Sequence, residues 1–409
     1  MATTDSLATG QLSLGEGGPD QDLRHPLWPP LTAGCPRTST EDVSYPVEVD
    51  YAYDEVDPER LFAPAPTRGG LERWAPLLPP LLAPGLGEGA TPLIEIEPGV
   101  YVKDESRNPT WSHKDRLNRC TTSAAVGVGA PGIAVASSGN HGASAAAYAA
   151  RAGLPCVVFT GPDLPPNVDA FLNAYGAVVL PVPWEARWPL LRQVADRLGL
   201  HPVSNLTTTH TGHAFGPEGY KTVAYEIFQD VGAPSAVFVP VGYGELLFGV
   251  WKGFAELRRL GLVDRVPRIH ACEAASGSPL ARAVAQGLPA AHVEVGPSDA
   301  YSIAAPVSGY RGVLALRESG GRALTLDDRR LADAQRELAR AGLWAELSAA
   351  AGLAGLRSLG EPDLSDGPVV CVSTSSGFKD LGVGTRRTDP VVPEWEAVHR
   401  RLRAAGIGG

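Results

Sequence analysis

An α/β architecture with mostly parallel sheets is predicted by two observations. Short apolar runs alternate with helical segments over most of the chain, and three of those runs end in glycine- or serine-rich turns. The apolar runs lie at 133–136, 156–159, 177–182, 236–241, 268–271 and 369–373. Helical segments fall between them or beside them, at 143–152, 188–198, 220–230, 246–260, 327–341 and 347–359. Strands of this length and apolarity are those covered by helices on both faces.

The flanking segments read differently. Residues 1 to about 30 are polar and Gly-rich and are expected to lack order, at least in part. Val47-Glu48-Val49-Asp50-Tyr51-Ala52-Tyr53 alternates apolar with acidic residues, the period of a half-buried strand. The proline-rich run at 77–84 reads as a linker or surface loop. Residues 127–150 carry no charge, which raises the question of a membrane span. Pro131, Ser137, Ser138, Asn140 and His141 interrupt them, so a strand, a tight turn and a small-residue helix are expected instead. No internal repeat is evident.

Bulk properties narrow the function. A chain of 409 residues has material for roughly two to three domains. Its net charge of −10, with no Lys/Arg-rich run, argues against a nucleic-acid footprint. Five scattered cysteines give no metal-ligand spacing and suit reduced thiols. The first residues show no basic segment followed by an apolar core. A cytoplasmic location is the expectation.

Four segments carry chemistry. In Ser112-His113-Lys114-Asp115-Arg116, Ser112 and Asp115 form a candidate capping box, so a helix is expected to begin just before Lys114. A lysine there lies in the positive end of the helix dipole, which disfavours its ammonium form and exposes a nucleophilic amine. Most Lys-Asp-Arg triplets, by contrast, are solvated helix surface. The second segment, Ser137-Ser138-Gly139-Asn140-His141-Gly142, follows an apolar strand, and the amides opening the next helix would face an anion such as a carboxylate. A plain glycine turn explains it about as well. The third, Gly242-Tyr243-Gly244-Glu245-Leu246, again joins strand to helix and offers backbone N–H groups to a phosphate. Glu245 would repel that phosphate unless it points outward. The fourth, Ser373-Thr374-Ser375-Ser376-Gly377-Phe378-Lys379-Asp380, places hydroxyls at a strand end.

In this order the four segments resemble the pyridoxal-phosphate enzymes of the tryptophan-synthase-β type (fold type II), and threonine synthase most closely, over residues 90–380. Glu218-Gly219-Tyr220-Lys221-Thr222 and the segment from Glu346 to Leu353 add to the likeness. The resemblance implies two doubly wound α/β domains with pyridoxal 5′-phosphate in the cleft between them. The smaller would span 118–231. The larger would combine 72–117 with 232–409, behind an extension at 1–71. It further implies Lys114 as the Schiff-base lysine and Asn140 as partner of the cofactor's phenolic oxygen. The cofactor phosphate would lie on Gly242, Tyr243, Gly244, Glu245 and Leu246, and Thr374 would face the pyridine nitrogen. A hydroxyl there leaves the ring uncharged, which in such enzymes favours elimination or replacement at the β or γ carbon over transamination. Substrate would meet Ser137, Ser138, Gly139 and His141. Homodimers are common in the family, although nothing in these residues demonstrates one.

The sequence departs from the threonine-synthase pattern where substrate would sit. His113 stands where Phe or Tyr is usual, and reads either as a proton shuttle or as an aromatic-sized filler that stacks and hydrogen-bonds locally. The stretch Thr209-His210-Thr211-Gly212-His213-Ala214-Phe215-Gly216-Pro217 lacks the arginine that clamps the substrate phosphate. Either His210 or His213 takes part of that task, or the substrate is not phosphohomoserine. His141 and Glu245 replace smaller residues. Gly34-Cys35-Pro36-Arg37-Thr38 keeps one cysteine of a zinc-ribbon pair, so no metal is expected.

The leading expectation is a pyridoxal-phosphate-dependent lyase or transferase acting on an amino acid, either threonine synthase or a paralogue with altered specificity. A catalytically silent cofactor-bound regulatory protein is the alternative of another class, against which the joint retention of Lys114, Asn140 and Thr374 counts. A nicotinamide-dependent dehydrogenase has little support, since no Gly-x-Gly-x-x-Gly opens the first βα turn.

Overall fold

The computed structural model describes residues 5–17, 23–64, 69–137, 139–379 and 390–407. Ser138 and Asp380, singled out above, lie outside that set.

The amino-terminal segment is more ordered than its composition suggests. β1 (Ala8–Ser13) pairs antiparallel with β2 (Arg24–His25) and with β3 (Val47–Tyr51). The alternation in β3 has the expected result: Val47, Val49 and Tyr51 are buried and the two acids between them are not. Disorder was the expectation for the first 30 residues, and β1 overturns it there. Gln11 is buried because its amide donates to the carbonyls of Pro26, Leu27 and Pro29 at 2.7, 3.3 and 3.1 Å. A polar residue whose hydrogen bonds are met costs little to bury. One helical turn, α1 (Pro58–Leu61), follows, capped by the Asp57 carboxylate. The proline-rich run is not a surface linker either: Leu77, Leu78, Leu81 and Ala83 are all core residues. Its prolines prevent a regular helix without preventing burial of the leucines between them.

β4 (Leu93–Glu97) and β5 (Val100–Asp104) form a hairpin, and α2 (Lys114–Gly127) follows. Then comes β6 (Ile133–Ala136), α3 (Asn140–Ala152), β7 (Cys156–Thr160), α4 (Pro166–Ala174), β8 (Val178–Pro181), α5 (Arg187–Leu198) and β9 (His201–Pro202). These strands make a parallel sheet in the order β8-β7-β6-β9. The uncharged stretch is therefore a strand, a turn and an alanine-rich helix. No helix among the described residues is long and apolar enough to cross a membrane.

α6 (Gly216–Val231) leads to β10 (Ala236–Pro240), α7 (Glu245–Arg259), β11 (Arg268–Ala274), α8 (Pro279–Ala285), α9 (Tyr310–Ser319) and β12 (Ala323–Leu326). α10 (Asp328–Arg340), α11 (Ala351–Ser358), β13 (Val369–Ser373) and α12 (Trp395–Ala404) complete the described chain. The second large sheet has the order β12-β11-β10-β13-β5-β4, parallel except for β4.

Two features hold the start of α2 in place. A Cβ on Gly219 of α6 would lie 2.0 Å from the carbonyl oxygen of Arg116, so the two helices touch backbone to backbone. Beneath them the fully buried Arg116 guanidinium bonds both oxygens of Glu105, at 2.7 and 2.8 Å, and both of Glu226, at 2.6 and 2.8 Å. Lys103 adds a further 2.6 Å contact to Glu226. Charge is tolerated in this interior because the guanidinium and the ammonium both meet carboxylates.

Candidate active site

The turns after β6, β10 and β13 converge with the start of α2, at the carboxyl ends of parallel strands, where α/β folds bind ligands. Lys114 is the first residue of α2, as expected, but not through the expected capping box. The Asp115 carboxylate turns back to the amide of Thr110, at 2.6 Å, and accepts from the hydroxyls of Thr110 and Ser144. Ser112 Oγ is left buried without a partner. The preceding Trp111 holds a positive φ of 60°, a strained conformation for a bulky residue, and its carbonyl accepts from Ser376 N and Ser375 Oγ. The lysine is thus presented by a tight turn pinned to the segment after β13. Burial lowers the Lys114 pKa from its ordinary value, with Glu245 opposing the shift.

His113 packs its ring on Tyr220, 5.3 Å between centroids, and donates Nδ1–H to the Thr374 carbonyl at 3.1 Å. Its backbone amide donates to the same oxygen at 3.0 Å. Burial, with Lys114 next, holds its pKa well below the usual histidine value. These are the local stacking and hydrogen-bonding contacts that the filler reading describes. The Lys114 ammonium lies 5.6 Å from the centroid of the same Tyr220 ring, whose hydroxyl is buried and unpartnered.

Asn140 opens α3 and sits in a polar junction. Its amide nitrogen donates to Glu346 at 2.8 Å, and its oxygen accepts from Lys379 Nζ at 2.7 Å and Ser375 Oγ at 3.2 Å. Burial lowers the Lys379 pKa to about 8, against the pull of Glu346 and Asp115. A cavity beside this junction is lined by Gly139, Asn140, Phe171, Ser302, Glu346 and Lys379, among others. Ser137 Oγ accepts from Gly139 N at 3.3 Å, and a Cβ on Gly139 would meet nothing within 4 Å. His141 directs Nε2 into buried space without a partner, and burial brings its pKa down to about 3.

Gly244 caps α7 with φ 91°, a left-handed turn that favours glycine, 3.1 Å from Gly312 at its would-be Cβ. The amides of Glu245, Leu246 and Leu247 begin the helix and have no acceptor within it. Glu245 does not point outward. Its carboxylate turns under the loop toward Gly212 and Gly216, 3.8 Å from the Arg311 guanidinium.

The two loop histidines part company. His210 stacks on Tyr243 at 4.5 Å with an interplanar angle of 12°, beside Trp188. His213, expected to help hold substrate, has no ring nitrogen to spare. Its Nδ1 accepts from Phe215 N at 2.9 Å and its Nε2 contacts His201 Nε2 at 2.8 Å.

Sequence reasoning missed Arg311, Ser302 and Tyr220 as neighbours of the site, and gave Lys379 no role although its motif was in view. Arg311 has no local signal at all, since it arrives from α9.

Residues 85–375 match the model of the pyridoxal-phosphate dependent enzyme family, and the chain belongs to that family. Threonine synthase of Methanosarcina acetivorans is 32% identical over 355 residues, covering 81% of this chain and 84% of that protein. Threonine synthase of Synechocystis sp. is 34% identical over 333 residues, covering 76% and 84%. Maize serine racemase shares the fold with a TM-score of 0.61 at 20% identity, covering 77% of this chain and 93% of its own. O-ureido-L-serine synthase does so with 0.59 at 24%, covering 74% and 95%. The cofactor of the family is pyridoxal 5′-phosphate and the fold is type II. Within it the chain is a lyase related to the threonine synthases.

The donor set suits that cofactor. An aldehyde needs an amine of depressed pKa, a phosphate needs free amides, and a flat ring needs an open slot with polar edges. Lys114, the first turn of α7 and the open face of Gly139 meet those needs. The buried, unpartnered atoms Ser112 Oγ, His141 Nε2 and Tyr220 Oη are left for something else to satisfy.

Proposed function

We propose that the protein catalyses elimination or replacement at the β or γ carbon of an amino acid, with a substrate pocket altered from that of threonine synthase. What supports this reading is that the turn presenting Lys114, the start of α3 at Asn140 and the segment after β13 are tied together by the His113–Thr374 and Ser375–Asn140 hydrogen bonds. In it, Lys114 would take the cofactor's aldehyde, Asn140 and the amides of residues 242–246 would hold its oxygens, and Thr374 would serve its ring nitrogen. Pyridoxal phosphate, when bound, supplies the sink for the electrons released at the substrate's α carbon.

The chain's own residues do the rest. Desolvation favours the neutral form of the Lys114 amine, which suits it to take the proton from Cα. The amides opening α3, with Ser137 and Gly139 before them, bind the substrate carboxylate. His141 Nε2, neutral at physiological pH, accepts a hydrogen bond from substrate. His113 positions the lysine through Tyr220 and Thr374. His210, stacked on Tyr243, closes the cleft against water.

A chain that carries the cofactor without using it is the competing reading. Lys114→Ala separates the two: the visible absorption band of the purified protein should vanish and turnover fall by at least about a thousandfold, with the far-ultraviolet dichroism unchanged. Unchanged turnover in that variant would sink the enzyme reading.

A further inference from the structure

Asn140 is held between two charged side chains, and the way they hold it decides what it can offer a ligand. A carboxamide has two acceptor positions on its oxygen and two N–H donors on its nitrogen. Lys379 Nζ donates to Asn140 Oδ1 at 2.7 Å. Ser375 Oγ reaches the same oxygen at 3.2 Å, but it has one hydrogen and a second acceptor, the Trp111 carbonyl, equally near. Lys379 is therefore the donor that fixes the oxygen end. At the other end, Asn140 Nδ2 donates to Glu346 Oε2 at 2.8 Å. Turning the amide over would set N–H against an ammonium and oxygen against a carboxylate. Neither partner can change its part, since an ammonium only donates and a carboxylate only accepts.

Both partners are themselves fixed. Glu346 accepts the Ser302 hydroxyl at its other oxygen, and its backbone amide donates to the Ser375 carbonyl at 3.1 Å. Lys379 is buried, its amide donates to the Ser376 carbonyl at 3.2 Å, and its own carbonyl accepts from Asn167 Nδ2 at 2.5 Å. Asn140, Ser302, Glu346 and Lys379 all line the cavity at the start of α3. One N–H of Asn140 goes to Glu346, and the other has no hydrogen-bond partner among the described residues. What Asn140 keeps for a ligand is thus a single donor at the wall of a cavity.

We infer that Lys379 is a positioning residue for the cofactor: with Glu346 it orients Asn140 so that only an N–H is available, and Asn140 thereby favours the anionic form of the cofactor's phenolic oxygen. This rests on the assignment of Asn140 to that oxygen under the reading above, and it gives a task to a lysine which the proposed reaction leaves idle. A hydrogen bond offered to the charged form of a group favours that form. The ammonium strengthens the effect, because an amide whose oxygen rests on a cation is polarised into a better donor.

The test reads the absorption spectrum of the cofactor-loaded protein, not turnover. Bound pyridoxal phosphate absorbs at longer wavelength with its phenolic oxygen ionised than with it protonated, so the ratio of the two bands reports the state of that oxygen. The ratio is measured at one pH for the wild type, Lys379→Met, Lys379→Arg, Asn140→Ala and the double variant Lys379→Met with Asn140→Ala. Lys379→Met is expected to lower the ratio of long- to short-wavelength absorbance by about tenfold, the order of a charge-assisted hydrogen bond, and Lys379→Arg to restore most of it. In the Asn140→Ala background Lys379→Met should change nothing further, since the lysine acts through the amide. An unaltered ratio in Lys379→Met overturns the inference, as does a Lys379→Met effect that persists undiminished without Asn140, or a Lys379→Arg protein no better than Lys379→Met. If Lys379→Met does not fold, Lys379→Gln decides by the same ratio, because it keeps a polar head without an obligatory donor. A wild-type ratio in Asn140→Ala overturns the assignment of Asn140 and this inference with it, and leaves the chemistry of Lys114 standing. A wild-type protein with no visible band, even after addition of pyridoxal phosphate, overturns both the inference and the reading it rests on.

Discussion

Arg116 shows how single residues keep this active site in register. Its guanidinium is wholly buried, and it holds Glu105 and Glu226 directly beneath the turn that presents Lys114. Replacing it with methionine would fill most of the volume but leave the buried Glu105 without a cation and Glu226 with Lys103 alone. Arg116→Met is expected to destabilise the fold by about 3–5 kcal/mol, measured by urea denaturation. A loss under about 1 kcal/mol would mean that the carboxylates find water or other partners. The same residue scale shows what could be read from sequence alone. The positions of Lys114, Asn140 and Thr374 at strand or helix ends were legible, because local chemistry fixes direction there. His213 was not, because its partner His201 lies on another element and satisfies the nitrogen that a loop histidine was expected to offer. Glu245 was legible as an anomaly, but its inward turn depends on the space left by Gly212 and Gly216.

Elements supply the ligand-binding geometry through their ends. At the amino terminus of α7, Gly244 combines a positive φ with close approach to Gly312, so a side chain there strains the turn and pushes α9 away. Gly244→Ala is expected to weaken pyridoxal phosphate affinity by about tenfold or more, measured by equilibrium dialysis, with little change in helix content. Unaltered affinity would show that the cofactor phosphate lies elsewhere. The central strands β6, β7, β10, β11 and β13 were visible in the sequence as apolar runs, because both faces of each are covered. β4 and β12 were overlooked, since they are the two edges of the larger sheet and bury only part of their length. β5 escaped for another reason: Lys103 breaks its apolar run, and only the fold shows that Glu226 pairs with it.

The molecule as a whole buries imidazoles in their neutral form, and this sets its response to acid. Burial lowers the pKa of His201 to about 4 and that of His270 to about 4, from an ordinary 6.5. The unfolded chain therefore takes up these protons first, so stability falls as pH drops from about 6.5 towards 4. Every tenfold loss of proton affinity on folding is worth roughly 1.4 kcal/mol at full effect. The melting temperature should fall between pH 6.5 and 5, before paired carboxylates such as Glu218 begin to titrate, and His201→Phe should flatten that fall. A melting temperature constant across the window would contradict the burial of neutral histidine. The central claim concerns one amine among several. Lys114 and Lys379 both flank the cleft with lowered pKa values, and only Lys114 is assigned the aldehyde. Borohydride reduction of the cofactor-loaded protein, followed by peptide mass mapping, tests that assignment most directly. A pyridoxyl adduct on Lys114 alone is the predicted result; an adduct on Lys379 or another lysine, or none on Lys114, would contradict it.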